Sequence, residues 1–348
     1  MSNQSTLRDS VITIAGIIII LFAARIAQSL VIPFLLSIFI TIIILVPFRW
    51  LKQHGVSNTF AVGISILIAL GLELFLTLLL GKSIAQFSRA VPRYQEQLAS
   101  IMRSINEWMA AHHIEFSDSG ISDILNPNVV LSFANNFLAG FGSVLSNVLL
   151  IMLTVLFMLL EANKLPAKIS SIDNSKQGTL LKNCSYILES TKQYIFLKAL
   201  TSLLTGILVT VGLTIIGLDF ASLWGFLAFL LNFIPNIGSV IAAAPAVLLA
   251  CLQLSSIEIL TVIALYLAVN IVIGNFLEPA IMGQKVGLST LSVFLSLLFW
   301  GWLLGPAGML LSVPLTMVIK YGAETNEKTR WLAVLLSSAP ATTESSEE

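Results

Sequence analysis

Hydrophobic positions fall in blocks along this chain, and the length and interruptions of each block decide what it can be. Val11 to Ser29 and Leu30 to Pro47 are apolar runs separated by a polar step at Gln28 and Ser29. Each approaches the ~20 helical residues that cross ~30 Å of hydrocarbon, so two spans are predicted. Arg25, near the end of the first, has a side chain long enough to reach the headgroups. Arg49, Lys52 and His54 after the second mark the cytoplasmic side, which also makes the N-terminus cytoplasmic. Asn58 to Leu80 predicts a third span, with Ser65, Ala69, Glu73 and Thr77 recurring every fourth residue on one face. A carboxylate inside a span turns away from lipid. For Glu73, an inward-facing proton or ion relay and a hydrated site near the outer interface are both open.

Residues 82–139 change character. Lys82, Arg89, Arg93 and Arg103 mix with Glu96, Glu107, Glu115 and Asp118, while Ile84, Phe87, Val91, Tyr94, Leu98 and Ile101 keep a three-and-four spacing. That pattern predicts an amphipathic helical insertion rather than a span. Alternation of spans puts it outside the cytoplasm, against the membrane surface or a neighbouring subunit. Asn126, Pro127 and Asn128 break it. A fourth span is predicted over 140–161, with Asn147, Thr154 and Glu161 on one face. Residues 162–198 are lysine-rich and read as a cytoplasmic loop. Ala199 to Ile216 makes the fifth span.

Two later stretches do not fit this scheme. Residues 221–252 are nearly all apolar but too few for two crossings and too many for one, and Asn232, Pro235, Asn236 and Gly238 split them. A re-entrant hairpin resolves this, entering from outside and turning at 232–238. The span from Ile257 to Phe276 follows, with Val262, Tyr266, Asn270, Gly274 and Glu278 along one face. Residues 288–319 repeat the pattern, broken at Gly305, Pro306 and Gly308. Entering from the cytoplasm, this second hairpin would invert the first, a common ground plan in secondary transporters. The expected fold is therefore an all-α polytopic membrane protein. It has about six full transmembrane helices, two re-entrant hairpins of inverted orientation and a small helical extracytoplasmic insertion. A transport core covers 199–322, and a cytoplasmic tail over 323–348 is disordered from Ser337 onward.

Composition supports the membrane assignment: 57% of the 348 residues are hydrophobic and 10% charged, against about a quarter charged in ordinary globular domains. Net charge is zero with scattered basic residues, which argues against a nucleic-acid partner. Cys184 and Cys251 suggest no disulfide framework. Arg8 before Val11 to Ala24 imitates a signal peptide, but no small-residue cleavage site follows and Leu30 opens a second run.

Backbone freed from helical bonding inside a bilayer survives only where protein or a wet cavity covers it. The stretch 270–314 carries Asn270, Asn275, Glu278 and Lys285 among Pro279, Gly283, Gly287, Gly305, Pro306, Gly308 and Pro314, and so reads as the working part. Broken helices expose free N–H groups at one end and free C=O groups at the other, able to hold anionic or cationic groups. The tip Asn232, Pro235, Asn236 and Gly238 is a candidate contact for substrate or ion, or else a silent break packed on protein. Glu278, followed by Pro279, is expected to end a helix beside free carbonyls and to serve a proton or sodium relay. Partnership with Lys285 is the alternative. No other cofactor is expected.

Enzyme signatures are missing. His54, His112 and His113 all lie in predicted loops, so an embedded Ser-His or zinc protease has no histidine. Gly81, Lys82 and Ser83 imitate the end of a phosphate-binding loop, but position 76 is Leu and a span precedes it.

The runs NFIPNIGSVIAAAP at 232–245 and GNFLEPAIMGQKVGLSTLSVFLSLLFWGWLLGPAGMLLSVPLT at 274–316 resemble the signature regions of the autoinducer-2 exporter-like family of bacterial membrane proteins. Span order, the insertion after the third span and the lysine-rich segment match too, while Thr290 stands where many relatives have Pro. The resemblance implies an eight-segment transporter in the bacterial cytoplasmic membrane, assembled as a homo-oligomer with a pentamer among the candidates. Members are associated with export of autoinducer-2, and some similar proteins with sodium/proton exchange. The expected function is export of a small polar signalling molecule, with a cation/proton antiporter and a non-transporting scaffold as alternatives.

Overall fold

The computed structural model describes residues 2–112, 147–162, 164–172, 179–235, 237–282, 287–325 and 327–338. Every regular element among them is helical, apart from one isolated bridge between Leu288 and Ser337. Asn236, Lys285, residues 113–146 and the side chain of Glu73 lie outside the described residues. The chain divides into two compact units.

The first unit opens with α1 (Ser2–Ile26) and α2 (Gln28–Gln53), which meet at Ala27 beside the polar step read from the sequence. Pro33 and Pro47 sit inside α2. The Ser37 hydroxyl donates to the Pro33 carbonyl (2.7 Å) and lies 3.3 Å from the Ile151 carbonyl of α4 (Val148–Ala162). Thr41 donates to the Ser37 carbonyl (2.6 Å) and faces the Met158 sulfur. Hydroxyls that bond back into their own helix can be buried without an unmet donor. A short helix α5 (Leu165–Ile172) follows α4, joined to it by the Lys168–Glu161 ion pair.

Also in this unit is α11 (Thr290–Glu324), whose 35 residues would suffice for a full crossing by length. Geometry shows otherwise. Trp300 Nε1 donates to Thr316 Oγ1 at 3.0 Å, whereas sixteen residues of straight helix would separate them by roughly 24 Å. The reversal occurs at Gly305 (φ 64°, ψ −150°), a conformation closed to residues with a Cβ. A Cβ on Gly308 would fall on the Trp300 carbonyl oxygen, so close passage of the two legs needs glycine there as well. The chain thus folds back where Gly305, Pro306 and Gly308 interrupt the apolar pattern. Beyond it, α12 (Arg330–Leu336) packs against α11. Ser289 N–H donates to the Leu336 carbonyl (2.9 Å) and Ser338 N–H to the Gly287 carbonyl (3.3 Å). This corrects the reading of the tail as disordered from Ser337 onward: Ser337 and Ser338 are tied to the start of the hairpin, and 339–348 lie outside the described residues.

Two long helices run from the first unit into the second. α3 (Asn58–Ala111) has 54 residues, a length of roughly 80 Å, more than twice the hydrocarbon thickness. The predicted third span and the amphipathic insertion are thus one continuous helix as far as Ala111, with Pro92 inside it. α6 (Thr179–Ile216) has 38 residues, which corrects the predicted loop over 162–198. From Thr179 to Thr205 the sequence holds no Gly or Pro, and lysines are good helix formers, so polarity alone does not break the helix.

The second unit adds the other hairpin, α7 (Ala221–Leu231) and α8 (Gly238–Gln253), then α9 (Ser256–Asn270), a π-helical stretch Ile271–Leu277, and α10 (Glu278–Met282). The Gln253 amide closes the base of the hairpin, donating to the Gly217 carbonyl (3.1 Å) and accepting from the Asp219 N–H (3.0 Å). α9 starts with a capping box, in which Glu258 accepts from the Ser255 backbone at 2.8 Å.

Gly305→Ala is expected to lower folding stability by roughly 1–3 kcal/mol through backbone strain. Gly322→Ala, at a helical position with open space around it, should be neutral or stabilising by up to about 1 kcal/mol. Paired thermal unfolding curves in detergent measure both.

Candidate functional site

Within the second unit, α6 presents Lys198, Thr201, Ser202 and Thr205 at i, i+3, i+4 and i+7, the spacing of one helix face. All four are buried. α7 crosses α6 where Gly206 and Gly225 meet nearly backbone to backbone. This brings the turn after α7 to the same face, and Asn232 Nδ2 donates to Ser202 Oγ at 3.0 Å.

Glu278 arrives from the other side. α9 buries Val262, Tyr266 and Val269, the π-helical stretch buries Ile273, and Leu265 packs against Gly212 of α6. Pro279 has no N–H, and its ring would crowd the carbonyl of Asn275 four residues back. The wider π register relieves that crowding: the Glu278 N–H bonds to the Ile273 carbonyl, five residues back, and helix resumes as α10. Pro279 therefore shifts the helical register instead of ending the helix, which corrects the expectation that Glu278 stands over a row of free carbonyls.

Its partner is an ammonium. Lys198 Nζ lies 2.5 Å from Glu278 Oε1, and Thr201 Oγ1 donates to the same oxygen at 3.1 Å. The Lys198 side chain is 7% exposed and that of Glu278 18%. A lone ammonium so placed would lose several kcal/mol of hydration, which the carboxylate offsets. The second oxygen, Oε2, accepts no hydrogen bond among the described residues and belongs to the more accessible member of the pair. The carboxylate is thus anchored through one oxygen and open through the other.

The profile of the AI-2E family of transporters matches residues 12–325. The chain belongs to that family. It is 37% identical over 327 residues to the AI-2 transport protein TqsA of Escherichia coli K12, covering 94% of this chain and 95% of the relative. It is 38% identical over 342 residues to a putative transport protein of Haemophilus influenzae, covering 97% and 98%. The putative transport protein YhhT of E. coli K12 is 36% identical, covering 93% and 92%. With its membrane-length helices, this member of the family is a multi-pass bacterial inner-membrane transport protein and not an enzyme.

In this AI-2E member the residues singled out in the sequence separate. Glu278 and Asn232 both join the α6 face. Gly238 is buried with its Cα against the Leu231 carbonyl, Pro235 is half-buried in the same turn, and Asn270 is half-buried with its side chain near Gly274. Asn275 is on the exposed side of its helix. Gly305, Pro306 and Gly308 form the turn of the hairpin in the other unit. Lys198, Thr201 and Ser202 were not among the candidates. The available signal was a lysine with Ile195, Phe196 and Leu197 before it and Ala199 and Leu200 after it, a cation already within apolar sequence.

Lys198→Met alone should destabilise the protein by roughly 3–5 kcal/mol, because Glu278 is left without its partner. The Lys198→Met/Glu278→Leu double variant should recover most of that loss. Thermal unfolding in detergent measures both, and a double variant no better than the single one would contradict pairing as the source.

Proposed function

We propose that this chain is a secondary transporter exporting a small polar signalling molecule of the autoinducer-2 kind, coupled to protons through the Lys198–Glu278 pair. The observation that carries this reading is that buried pair, set where the register of a membrane-length helix changes. TqsA, named as an AI-2 transport protein, supports the choice of cargo. Ionisable groups inside membrane-spanning segments mark transport routes by default.

The chemistry follows from the two carboxylate oxygens. With Oε1 held by Lys198 and Thr201, Oε2 is free to take a proton. Protonation of Glu278 removes the counter-charge of Lys198, so the ammonium must find another acceptor or lose its own proton. Either event disturbs the α6 face one turn from Ser202, where Asn232 binds. Proton binding and movement of the hairpin turn thereby share one helix. A sodium ion at the open Oε2 would sit beside the ammonium held at Oε1, and this like-charge contact favours the proton as coupling ion; no resident cofactor takes part.

The two hairpins are read as re-entrant and of inverted orientation. In support, the 11 residues of α7 extend about 16 Å, half the hydrocarbon thickness. The N- and C-termini are read as cytoplasmic from the positions of the basic residues, and the assembly as a homo-oligomer from the family resemblance.

Cation/proton exchange without organic cargo is the second reading, favoured by the open oxygen of Glu278. Inverted membrane vesicles separate the two. Autoinducer-2 uptake that collapses with a protonophore and falls at least tenfold in Glu278→Gln is the expected result. Sodium-driven alkalinisation of a pH dye in the absence of autoinducer-2 would favour the exchanger. No flux of either kind in reconstituted protein would point to a scaffold.

A further inference from the structure

The distal part of α3 does not lie free, as an amphipathic surface helix would. Its face Ser83, Phe87 and Tyr94 is buried, and it is covered by residues 217–224 of the same unit, at the base of the α7–α8 hairpin. Tyr94 Oη donates to Asp219 Oδ2 at 2.7 Å, and Ser83 Oγ is 3.2 Å from Ser222 Oγ. The Phe87 ring sits edge-on to Phe220 and Trp224, with centroids 5.5 and 5.6 Å away. Trp224 Nε1 donates to the Asp219 carbonyl (3.0 Å), and Gln253 holds Gly217 and Asp219 from the opposite leg. Burial, then the bond to Asp219, pushes the Tyr94 phenol up from its ordinary range, so it stays protonated and remains the donor.

Phe220 supplies a second, independent sign. Its φ of 58° is a left-handed conformation that an aromatic residue rarely adopts, and such strain persists where the surroundings over-determine it. The base is therefore fastened by charge-assisted, neutral and aromatic contacts from two directions. The opposite end of the hairpin meets α6 through one neutral hydrogen bond, Asn232–Ser202, and through apolar packing, with Phe229 against Gly206 and Leu231, Phe233 and Ile234 buried. The base thus carries several directional ties, one of them to a carboxylate, and the turn a single neutral one besides its apolar packing.

We propose that residues 217–224 are a fixed pivot, clamped by α3, about which the hairpin turn engages and leaves Ser202. Tyr94, Ser83 and Phe87 are then positioning residues, acting through Asp219, Ser222 and Trp224. The proposal rests on the transporter reading for why the turn should move, but its first test needs no cargo.

The full chain, with Cys184→Ser and Cys251→Ser, is reconstituted in phosphatidylethanolamine/phosphatidylglycerol vesicles, and Ile237→Cys at the turn is labelled with a maleimide. Tyr94→Phe should raise the labelling rate several-fold. A disulfide between Ser83→Cys and Ser222→Cys should return it to the parent value, a rescue that general loss of structure would not show. An unchanged rate in Tyr94→Phe overturns the proposal. In the second test the oxidised 83–222 pair is assayed for autoinducer-2 uptake. Retention of at least half the reduced rate is expected, and arrest reversed by reductant would mean that the joint opens in each cycle, overturning the pivot. If the parent protein moves no autoinducer-2, the cargo reading fails while the labelling result still decides the pivot.

Discussion

A charge or peptide group that loses water inside an apolar medium must find another partner, and most of this structure answers that demand. Lys198 meets it through Glu278, with Thr201 adding a second donor to the same oxygen. Ser37 and Thr41 meet it by bonding back into their own helix. At Pro279 the demand is met by widening the helix so that the Glu278 amide finds a carbonyl five residues back. The same constraint forces charge, hydroxyl and backbone irregularity toward the α6 face, because each makes the others cheaper to bury.

The two hairpins close in different ways. In the first, a side-chain amide, Gln253, bridges the ends and α3 braces the base. In the second, the backbone of the C-terminal segment bonds to residues 287 and 289, and the turn depends on a glycine conformation. Similar interruptions in the sequence thus lead to folded-back helices held by unrelated contacts. Substitutions at the two bases should accordingly differ in effect: side-chain changes reach the first directly, whereas the second is proof against most changes that leave the backbone alone.

Part of the fold was legible in the sequence where Gly, Pro and Asn cluster within an apolar run, whereas single prolines such as Pro33, Pro47, Pro245 and Pro314 lie inside helices. Asn232 to Gly238 and Gly305 to Gly308 announced both reversals. Helix ends were less legible: the change from apolar to charged residues after Leu80, and before Ala199, marks a change of surroundings and not of backbone, so α3 and α6 run through both boundaries. The site was half legible. Glu278 stood out as a carboxylate in apolar sequence, but its partner is 80 residues away, and no local pattern connects them. Lys198 was absorbed into a count of basic residues that positions it by composition, when its apolar neighbours were the better guide.

The clasp on the second hairpin has a consequence for how the protein is made. Chains emerge from the ribosome N-terminus first, so α11 is synthesised before α12, whose last residues bond to the segment at 287–289. During insertion the hairpin must therefore wait with its entrance unfastened until α12, made after it, bonds to residues 287 and 289. The entrance of this hairpin is thus closed by a segment synthesised after both of its legs, which makes the order of synthesis a part of how the membrane domain takes shape.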